Sequence, residues 1–179
     1  LEDALNDTDT DMCEKTLKEF GSSKLCPTLK SVADKFTLNE KQRIAFFIVG
    51  NALLKSIRDQ IVEENLISIE ENPEKNSIPL RMYLGGEGGT GNSRVIKVLI
   101  YLSQSWGRPN AVQTIAPTGQ AAVLTNGETA HSFLKLSNRN FKESSLSEEE
   151  KIRYRELVLL IYDEIGMSGK YEFAKSLKM

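Results

Sequence analysis

The sequence has few cysteines and histidines, the residues on which disulfide-bonded and zinc-dependent folds depend. Its 179 residues include two cysteines and a single histidine, His131, too few soft ligands for a four-ligand zinc site. Sparse cysteine in a chain long enough to bury a sizeable core favours a reducing compartment, the cytosol or the nucleus. No apolar run approaches the ~20 residues that cross a bilayer, and the acidic start, Leu1–Asp11, is unlike a signal or transit peptide. We therefore expect neither a membrane protein nor a secreted scaffold.

Charge is unevenly distributed along the chain. The formal net charge is −2, but residues 1–80 carry 15 acids and 10 bases, and residues 143–179 carry 8 and 6. Between them, residues 81–142 carry seven bases against only Glu87 and Glu128, a local balance of +5. Because phosphate binding needs local positive charge, this basic middle favours a phosphate-handling segment, with a merely solvated face as the alternative.

Composition divides the chain near residue 36. Residues 1–35 are predicted to form an acidic, flexible N-terminal arm, and residues 36–179 a folded domain. Thr37 and Glu40 have the spacing of a capping box, with Thr37 as the N-cap. Apolar residues at helical spacing then predict a long helix that continues through Asp59 or beyond.

From residue 81 the chain alternates between short strands and helices. Strands are predicted at Arg81–Leu84, Ala111–Ala116 and Leu157–Tyr162, and helices at Ser93–Ser103 and Gln120–Leu124. Residues 137–150 form a polar, serine- and glutamate-rich stretch. Continuous apolar runs joined by helices are typical of a parallel sheet covered on both faces. The predicted fold class is therefore α/β, a three-layer sandwich with at least three parallel strands.

A glycine-rich segment follows the first predicted strand. Residues 86–93, Gly-Glu-Gly-Gly-Thr-Gly-Asn-Ser, match the phosphate-binding loop G-x-x-x-x-G-K-[ST] in frame. Glycines let backbone N–H groups surround a phosphate, the helix start adds partial positive charge, and Ser93 would offer a hydroxyl to Mg²⁺. The lysine that reaches the β- and γ-phosphates is replaced by Asn92, which brings no charge and a shorter reach. We expect weakened nucleotide binding; a plain glycine-rich turn is the alternative.

Two acids close the last predicted strand. Asp163 and Glu164 follow an apolar run that ends at Tyr162, 70 residues after Ser93. In phosphate-loop nucleotidases an acid here binds Mg²⁺, and a second acid can orient the attacking water. The carboxyl ends of parallel strands face the crevice where ligands bind, which favours these roles over a solvated acidic turn. The sequence thus predicts a triphosphate in the loop, with Asp163 holding the metal opposite.

Four segments with these features occur in order along the chain. They are LGGEGGTGNSRVI (84–96), IAPTGQAA (115–122), GETAHSF (127–133) and YDEIGM (162–167). Together they resemble motifs of superfamily 1B DNA helicases of the petite-integration-frequency type, particularly the version encoded by Helitron transposons. The resemblance covers about residues 36–179. It implies a RecA-like ATPase domain (helicase domain 1A) that uses ATP and Mg²⁺ to move 5′→3′ on single-stranded DNA. It also implies a nuclear location, with cytoplasm or mitochondrion as alternatives, and family roles in recombination, repair and telomere maintenance.

The resemblance assigns roles by position. It implies an adenine-reading glutamine at Gln42, and magnesium-binding and water-activating acids at Asp163 and Glu164. It implies DNA contacts at Pro117, Thr118, Gly119, His131 and Ser132. The implied ATP-binding residues are Gln42, Gly86, Glu87, Gly88, Gly89, Thr90, Gly91, Asn92, Ser93 and Arg94, and the implied catalytic residues are Asn92, Asp163 and Glu164. The residues themselves leave His131 open as a structural histidine and Gln42 as a surface residue, whereas the hydroxyls of Thr118 and Ser132 suit phosphate oxygens.

Two departures from the helicase pattern shape the expected activity. Asn92 replaces the family lysine, and the chain stops 15 residues after Glu164, before the second RecA-like domain. That domain would supply an arginine finger worth ~10³–10⁵ in rate. We therefore expect a fragment or a decayed copy with impaired activity.

Three interpretations stay open: an impaired helicase ATPase domain, a degenerate domain that only binds nucleotide or DNA, and another phosphate-loop class such as a nucleotide kinase. The last is disfavoured because a kinase has no need for the motifs at 117–119 and 129–132.

Overall fold

The computed structural model describes residues 26–65, 80–86, 89–135 and 146–169. The chain divides into two compact units, Leu1–Gly107 and Arg108–Met179. In the part of the chain that is described, the first unit is built from helices and the second contains the sheet. None of the described helices combines the length and apolar composition that crossing a bilayer requires.

Three helices make up the described part of the first unit. They are α1 (Leu29–Lys35), α2 (Glu40–Asn65) and α3 (Asn92–Ser105). Each buries apolar residues at helical spacing, as expected for helices that pack on one another. Trp106 follows α3 and is buried, with its indole Nε1 donating to the Pro27 carbonyl at 3.1 Å. The two helices predicted from periodicity in this unit are confirmed.

Helix α2 begins at a different capping residue from the predicted one. The Asn39 side chain accepts from the Gln42 backbone N–H at 3.0 Å, and the Gln42 side chain accepts from the Asn39 N–H at 3.2 Å. This reciprocal pair is a capping box, so Asn39 is the N-cap and the predicted Thr37–Glu40 box is wrong. Asparagine is a stronger N-cap than threonine, which accounts for the shift. Thr37 lies in the preceding turn with a φ of 47°, a conformation that β-branched residues rarely adopt.

The predicted N-terminal arm overlaps a helix of the first unit. Leu29, Val32 and Ala33 of α1 are buried. Thr28 caps this helix by accepting from the Ser31 N–H at 3.1 Å. Residues 26–35 therefore pack with the domain, because their apolar positions recur at helical spacing. Residues 1–25 lie outside the described residues, and the arm there stays a prediction.

The segment that precedes the phosphate loop is not a strand. Residues 80–86 have no regular secondary structure, so the predicted strand Arg81–Leu84 is absent here. Tyr83 is 81% exposed and Met82 is 41% exposed. A strand is stabilised by pairing with a neighbour and by burying one face. Among the strands that the structure describes, none pairs with this segment.

A parallel three-stranded sheet lies in the second unit. Its strands are β1 (Val112–Ala116), β2 (Glu128–Thr129) and β3 (Leu159–Tyr162), in the order β2-β1-β3. Ile115 of β1 is paired with Glu128 on one side and with Tyr162 on the other. The helices are α4 (Gly119–Leu124), α5 (Ala130–Phe133) and α6 (Glu148–Glu156), and a 3-10 turn spans Ile165–Met167. The predicted α/β class with a parallel sheet is confirmed.

Burial in this sheet differs between the middle strand and the edge. β1 is buried at four of its five residues, whereas β3 is half-buried and its Leu160 is 39% exposed. Among the described strands β3 pairs with β1 alone. The apolar run at 157–162 therefore forms an edge strand here, less covered than the predicted buried strand. One buried cluster of the second unit contains Ile115, Ala130, Phe133 and Leu134, with Tyr154, Leu157 and Tyr162 packed against it.

Candidate functional site

The phosphate loop leads directly into helix α3, as the motif predicts. Gly91 precedes the helix with φ 86° and ψ 27°, in the left-handed region that favours glycine. It offers no capping side chain, so the partial positive charge of the helix start is not met by a side-chain cap. Gly89 has the same φ of 86°. Such left-handed positions let a loop turn its backbone N–H groups towards an anion.

Gly86, Asn92 and Ser93 are further positions of the predicted phosphate loop. A Cβ on Gly86 would lie 2.5 Å from Thr90 Oγ1, so glycine lets these two residues approach. Asn92 is half-buried in the first turn of α3, and Ser93 is exposed beside it. Glu87 and Gly88 lie outside the described residues. An exposed serine hydroxyl is an oxygen ligand of the kind that Mg²⁺ accepts.

Gln42 contacts the phosphate loop through its side-chain amide. Nε2 donates to the Thr90 carbonyl at 3.2 Å, while Oε1 accepts from the Asn39 N–H. A Cβ on Gly91 would lie 2.3 Å from Gln42 Nε2, so this contact requires glycine at that position. The structure thus brings the predicted adenine-reading residue to the predicted phosphate loop. Gln42 and Thr90 belong to the same unit: Gln42 is in the first turn of α2, and Thr90 is two residues before α3.

Arg94 reaches from the first turn of α3 to the turn that joins α1 to α2. Its Nε donates to the Phe36 carbonyl at 3.2 Å, and its Nη2 donates to that carbonyl and to Thr37 Oγ1, the latter at 3.1 Å. The side chain is exposed. Its permanent positive charge is therefore held at this turn, while its backbone lies two residues beyond Asn92.

The carboxyl ends of the three strands bring the other predicted residues to one edge of the sheet. Ala116 is paired with Thr129, and Asp163 continues β3 one residue beyond the Ile115–Tyr162 pair. The Asp163 N–H donates to the Ile115 carbonyl at 2.8 Å, which holds the acid in line with β1. Because neighbouring strands lie about 4.8 Å apart, Asp163 is one strand from the end of β1 and two from Thr129.

The two acids occupy a sharp turn directly after β3. Asp163 is half-buried and Glu164 is exposed. Glu164 has a φ of 51°, and its N–H donates to Asp163 Oδ1 at 2.9 Å. Carboxylate oxygens are preferred ligands of Mg²⁺, so the chemistry of Asp163 fits the predicted metal role. The phosphate loop and these acids belong to different units, and their joint site stays a prediction.

Threonine side chains cap both short helices at this edge. Thr118 Oγ1 accepts from the Ala121 N–H, and Thr129 Oγ1 accepts from the Ser132 N–H, each at 3.3 Å. A hydroxyl that accepts one bond keeps its own hydrogen, which it can donate to a phosphate oxygen. His131 and Ser132 are exposed on α5, directly after the Thr129 cap. The predicted DNA-contact segments are therefore neighbours at the sheet edge.

Helix α6 begins within the polar stretch at residues 137–150, where no helix is predicted from the sequence. Its signal is nevertheless present in the sequence, because Ser147 and Glu150 form a complete capping box. The helix carries Arg153, whose guanidinium donates to Gln113 and forms an ion pair with Glu128. These contacts join α6 to β1 and β2. No sequence motif singled out Arg153.

Two further contacts connect α6 to the segment after β2. Lys135 Nζ lies 2.7 Å from Glu150 Oε1. Their hydrogen bond holds the pKa of Glu150 below its ordinary value and raises the pKa of Lys135. The Tyr154 hydroxyl donates to the Phe133 carbonyl, and burial raises the pKa of this tyrosine. The segment with His131 and Ser132 is thus held from one side by α6.

Comparison with protein families gives a match over most of the chain. The family model described as PIF1-like helicase matches residues 54–178, more than half of the 179-residue chain. The match spans the phosphate loop, the Thr118 and His131 segments and the two acids, whereas Gln42 lies before it. No curated protein and no solved structure gave a significant match.

Proposed function

Because the chain belongs to the PIF1-like helicase family, we propose that it is the first ATPase domain of a DNA helicase that moves 5′→3′ on single-stranded DNA. We propose further that this helicase is of superfamily 1B and of the type that Helitron transposons encode, which the four ordered motifs favour. One observation carries it: two left-handed glycines lead into α3 within the segment that matches the helicase family. We further propose a nuclear location and family roles in recombination, repair and telomere maintenance.

In this proposal the first unit binds the nucleotide. The loop amides and the start of α3 bind the phosphates, Gln42 contacts adenine, and Arg94 supplies positive charge. Ser93 and Asp163 would hold Mg²⁺, which neutralises charge on the phosphates when it is bound. Glu164, exposed at its turn, orients the attacking water.

Asn92 is the reason why we expect this site to bind nucleotide weakly. An amide makes a neutral hydrogen bond where lysine makes a charge-assisted one of about twice the strength. The difference of roughly 1–2 kcal/mol corresponds to about a tenfold loss of nucleotide affinity. The same observation favours a second candidate function, a degenerate domain that binds nucleotide or DNA without turnover.

The second unit contacts DNA in this proposal. Thr118 and Ser132 donate to phosphate oxygens, the Gly119 backbone permits close approach, and His131 stacks on a base or bonds a phosphate. Such contacts read no sequence, and their affinity falls as the salt concentration rises, because binding releases counterions from the DNA and that release becomes less favourable in added salt. Binding to single-stranded DNA should therefore be weak, independent of sequence and sensitive to salt.

Restoring the lysine tests the helicase proposal against the binding-only alternative. The variant Asn92→Lys, joined to a second RecA-like domain of a family member, should hydrolyse ATP faster when single-stranded DNA is added. The matched control is Asn92→Gln in the same fusion, which keeps an amide and adds length without charge. Hydrolysis that single-stranded DNA does not stimulate in the Asn92→Lys fusion would contradict the helicase proposal and favour the binding-only domain.

A further inference from the structure

We propose that Arg153 is a positioning residue that masks the charge of Glu128, so that the neighbouring segment with His131 and Ser132 can approach DNA phosphates. This inference rests on the proposed contact with single-stranded DNA. It assigns a role to α6, a helix outside the helicase motifs recognised in the sequence.

One face of α6 is directed at the β2–α5 segment. Glu150, Arg153 and Tyr154, spaced three and four residues apart, each contact residues between 128 and 135. Arg153 also reaches β1. Its guanidinium pairs with Glu128, donates to Gln113, and lies 5.2 Å from the centroid of the Phe133 ring.

Glu128 is the acid that a DNA-binding segment has to neutralise. It is the sole Asp or Glu between Arg108 and Lys135. It is paired in the sheet with Ile115, at the carboxyl end of β1, and it directly precedes the Thr129 cap. Both partners of the ion pair are about one-third exposed, at 36% for Arg153 and 35% for Glu128. An uncompensated carboxylate here would repel a phosphate bound at Ser132, four residues further along the chain, because like charges that are close together at a surface repel one another when little salt screens them.

Arginine suits this position better than lysine. Its Nη2 donates to a carboxylate oxygen and to an amide oxygen, while the flat guanidinium lies over an aromatic ring. Gln113, Glu128 and Phe133 supply these three partners. Lysine would keep the charge but could not meet all three with the same geometry.

A purely structural role predicts a different pattern of mutant effects. Lys135–Glu150 and Tyr154–Phe133 also hold α6 against the segment, so bracing does not depend on Arg153 alone. If Arg153 only holds α6 against the segment, removing the Glu128 charge in addition to Arg153 cannot restore DNA binding. If Arg153 masks charge, removing both partners restores it.

The experiment measures binding of the full chain to fluorescently labelled oligo-dT by anisotropy, at about 50 mM and about 200 mM salt. Arg153→Gln should weaken binding about fivefold at low salt and less at high salt. Arg153→Gln with Glu128→Gln should return to within about twofold of the wild type. Arg155→Gln, on the exposed part of the same helix, changes net charge equally and serves as the matched control.

Glu128→Gln alone keeps the inference testable if Arg153→Gln does not fold. This variant leaves Arg153 in place and should bind oligo-dT more tightly than the wild type. Equal weakening in Arg153→Gln and the double variant, or unchanged affinity in Glu128→Gln, would overturn charge masking while leaving DNA binding intact. A wild-type chain that binds no oligo-dT at either salt concentration would instead overturn the proposed function, and charge masking with it.

Discussion

The two units hold their candidate functional residues by different kinds of contact. In the first unit, long-range side-chain bonds surround the phosphate loop: Gln42 donates to the Thr90 carbonyl of the loop, and Arg94, just after the loop, donates to the distant Phe36 carbonyl. In the second, Thr118 and Thr129 cap helices that begin at the next residue, and Asp163 bonds to the neighbouring strand through its backbone. The phosphate loop is therefore contacted by a residue 48 positions away, whereas the Thr118 and Thr129 caps and Asp163 depend on residues within three positions and on backbone pairing.

This difference predicts where substitutions act. A change in α2 should reach the phosphate loop, because their contact is made by one side-chain amide. A change at a threonine cap should stay local, because the cap acts on its own helix. Four substitutions test that contrast, and the expected loss of stability decreases from the first to the last.

Gly91→Ala should destabilise the first unit most. Alanine at a φ of 86° costs about 1–2 kcal/mol, and displacing Gln42 from Thr90 adds about 1 kcal/mol. Gly89→Ala is the matched control, because its φ is the same and a Cβ there meets nothing within 4 Å. The free energy of unfolding is measured in urea by the fluorescence of Trp106. Equal losses in the two variants would show that the Gln42 contact contributes nothing.

Gln42→Ala should lower the free energy of unfolding of the first unit by about 1–1.5 kcal/mol. It removes half of the capping box as well as the bond to Thr90. Gln42→Glu keeps an acceptor for the Asn39 N–H, and a carboxylate favours a helix start, so it should lose less. Amide hydrogen exchange distinguishes them: the Asn39 N–H should exchange faster in Gln42→Ala only. Fast exchange in both variants would count against the capping role.

Thr118→Ala should cost about 1 kcal/mol and act locally in the second unit. The Ala121 N–H loses its acceptor, so its hydrogen exchange should speed up while exchange in α6 stays unchanged. Thr118→Ser keeps a hydroxyl and should behave like the wild type. Faster exchange throughout the second unit would contradict a local cap.

Lys135→Met should give the smallest effect, and one that depends on pH. The Lys135 hydrogen bond lowers the pKa of Glu150 in the folded state below its ordinary value of 4.5. Its contribution is therefore present above pH 4.5 and lost as the pH falls through the lowered value. The variant should have a lower Tm than the wild type near neutral pH, and the two should converge in strong acid. A Tm difference that persists in acid would exclude the ion pair as its cause.

Features fixed by neighbouring residues could be predicted from the sequence, and features that need distant partners could not. The helix after the phosphate loop and the strands at 112–116 and 159–162 follow from periodicity and apolar runs. The strand expected at Arg81–Leu84 needs a pairing partner, which an apolar pattern cannot supply. Two pairs, Thr37–Glu40 and Asn39–Gln42, have the spacing of a capping box, and the box forms at Asn39 because asparagine is the stronger N-cap.

The same distinction between local and long-range features applies to the candidate site. Gly91 and Thr118 each precede a helix and Asp163 follows a strand, as the sequence pattern predicts, because these placements depend on local backbone geometry. The Gln42–Thr90 bond and the Arg153–Glu128 pair join residues far apart in sequence, and no spacing rule reveals them.

Calorimetric titration of Mg·ATP into the full chain tests the central claim, that a phosphate loop weakened by Asn92 leads into α3. The wild type should bind weakly, Asn92→Lys should bind about tenfold more tightly, and Asn92→Gln should match the wild type. Equal affinities in wild type and Asn92→Lys, or micromolar binding by the wild type, would contradict the account.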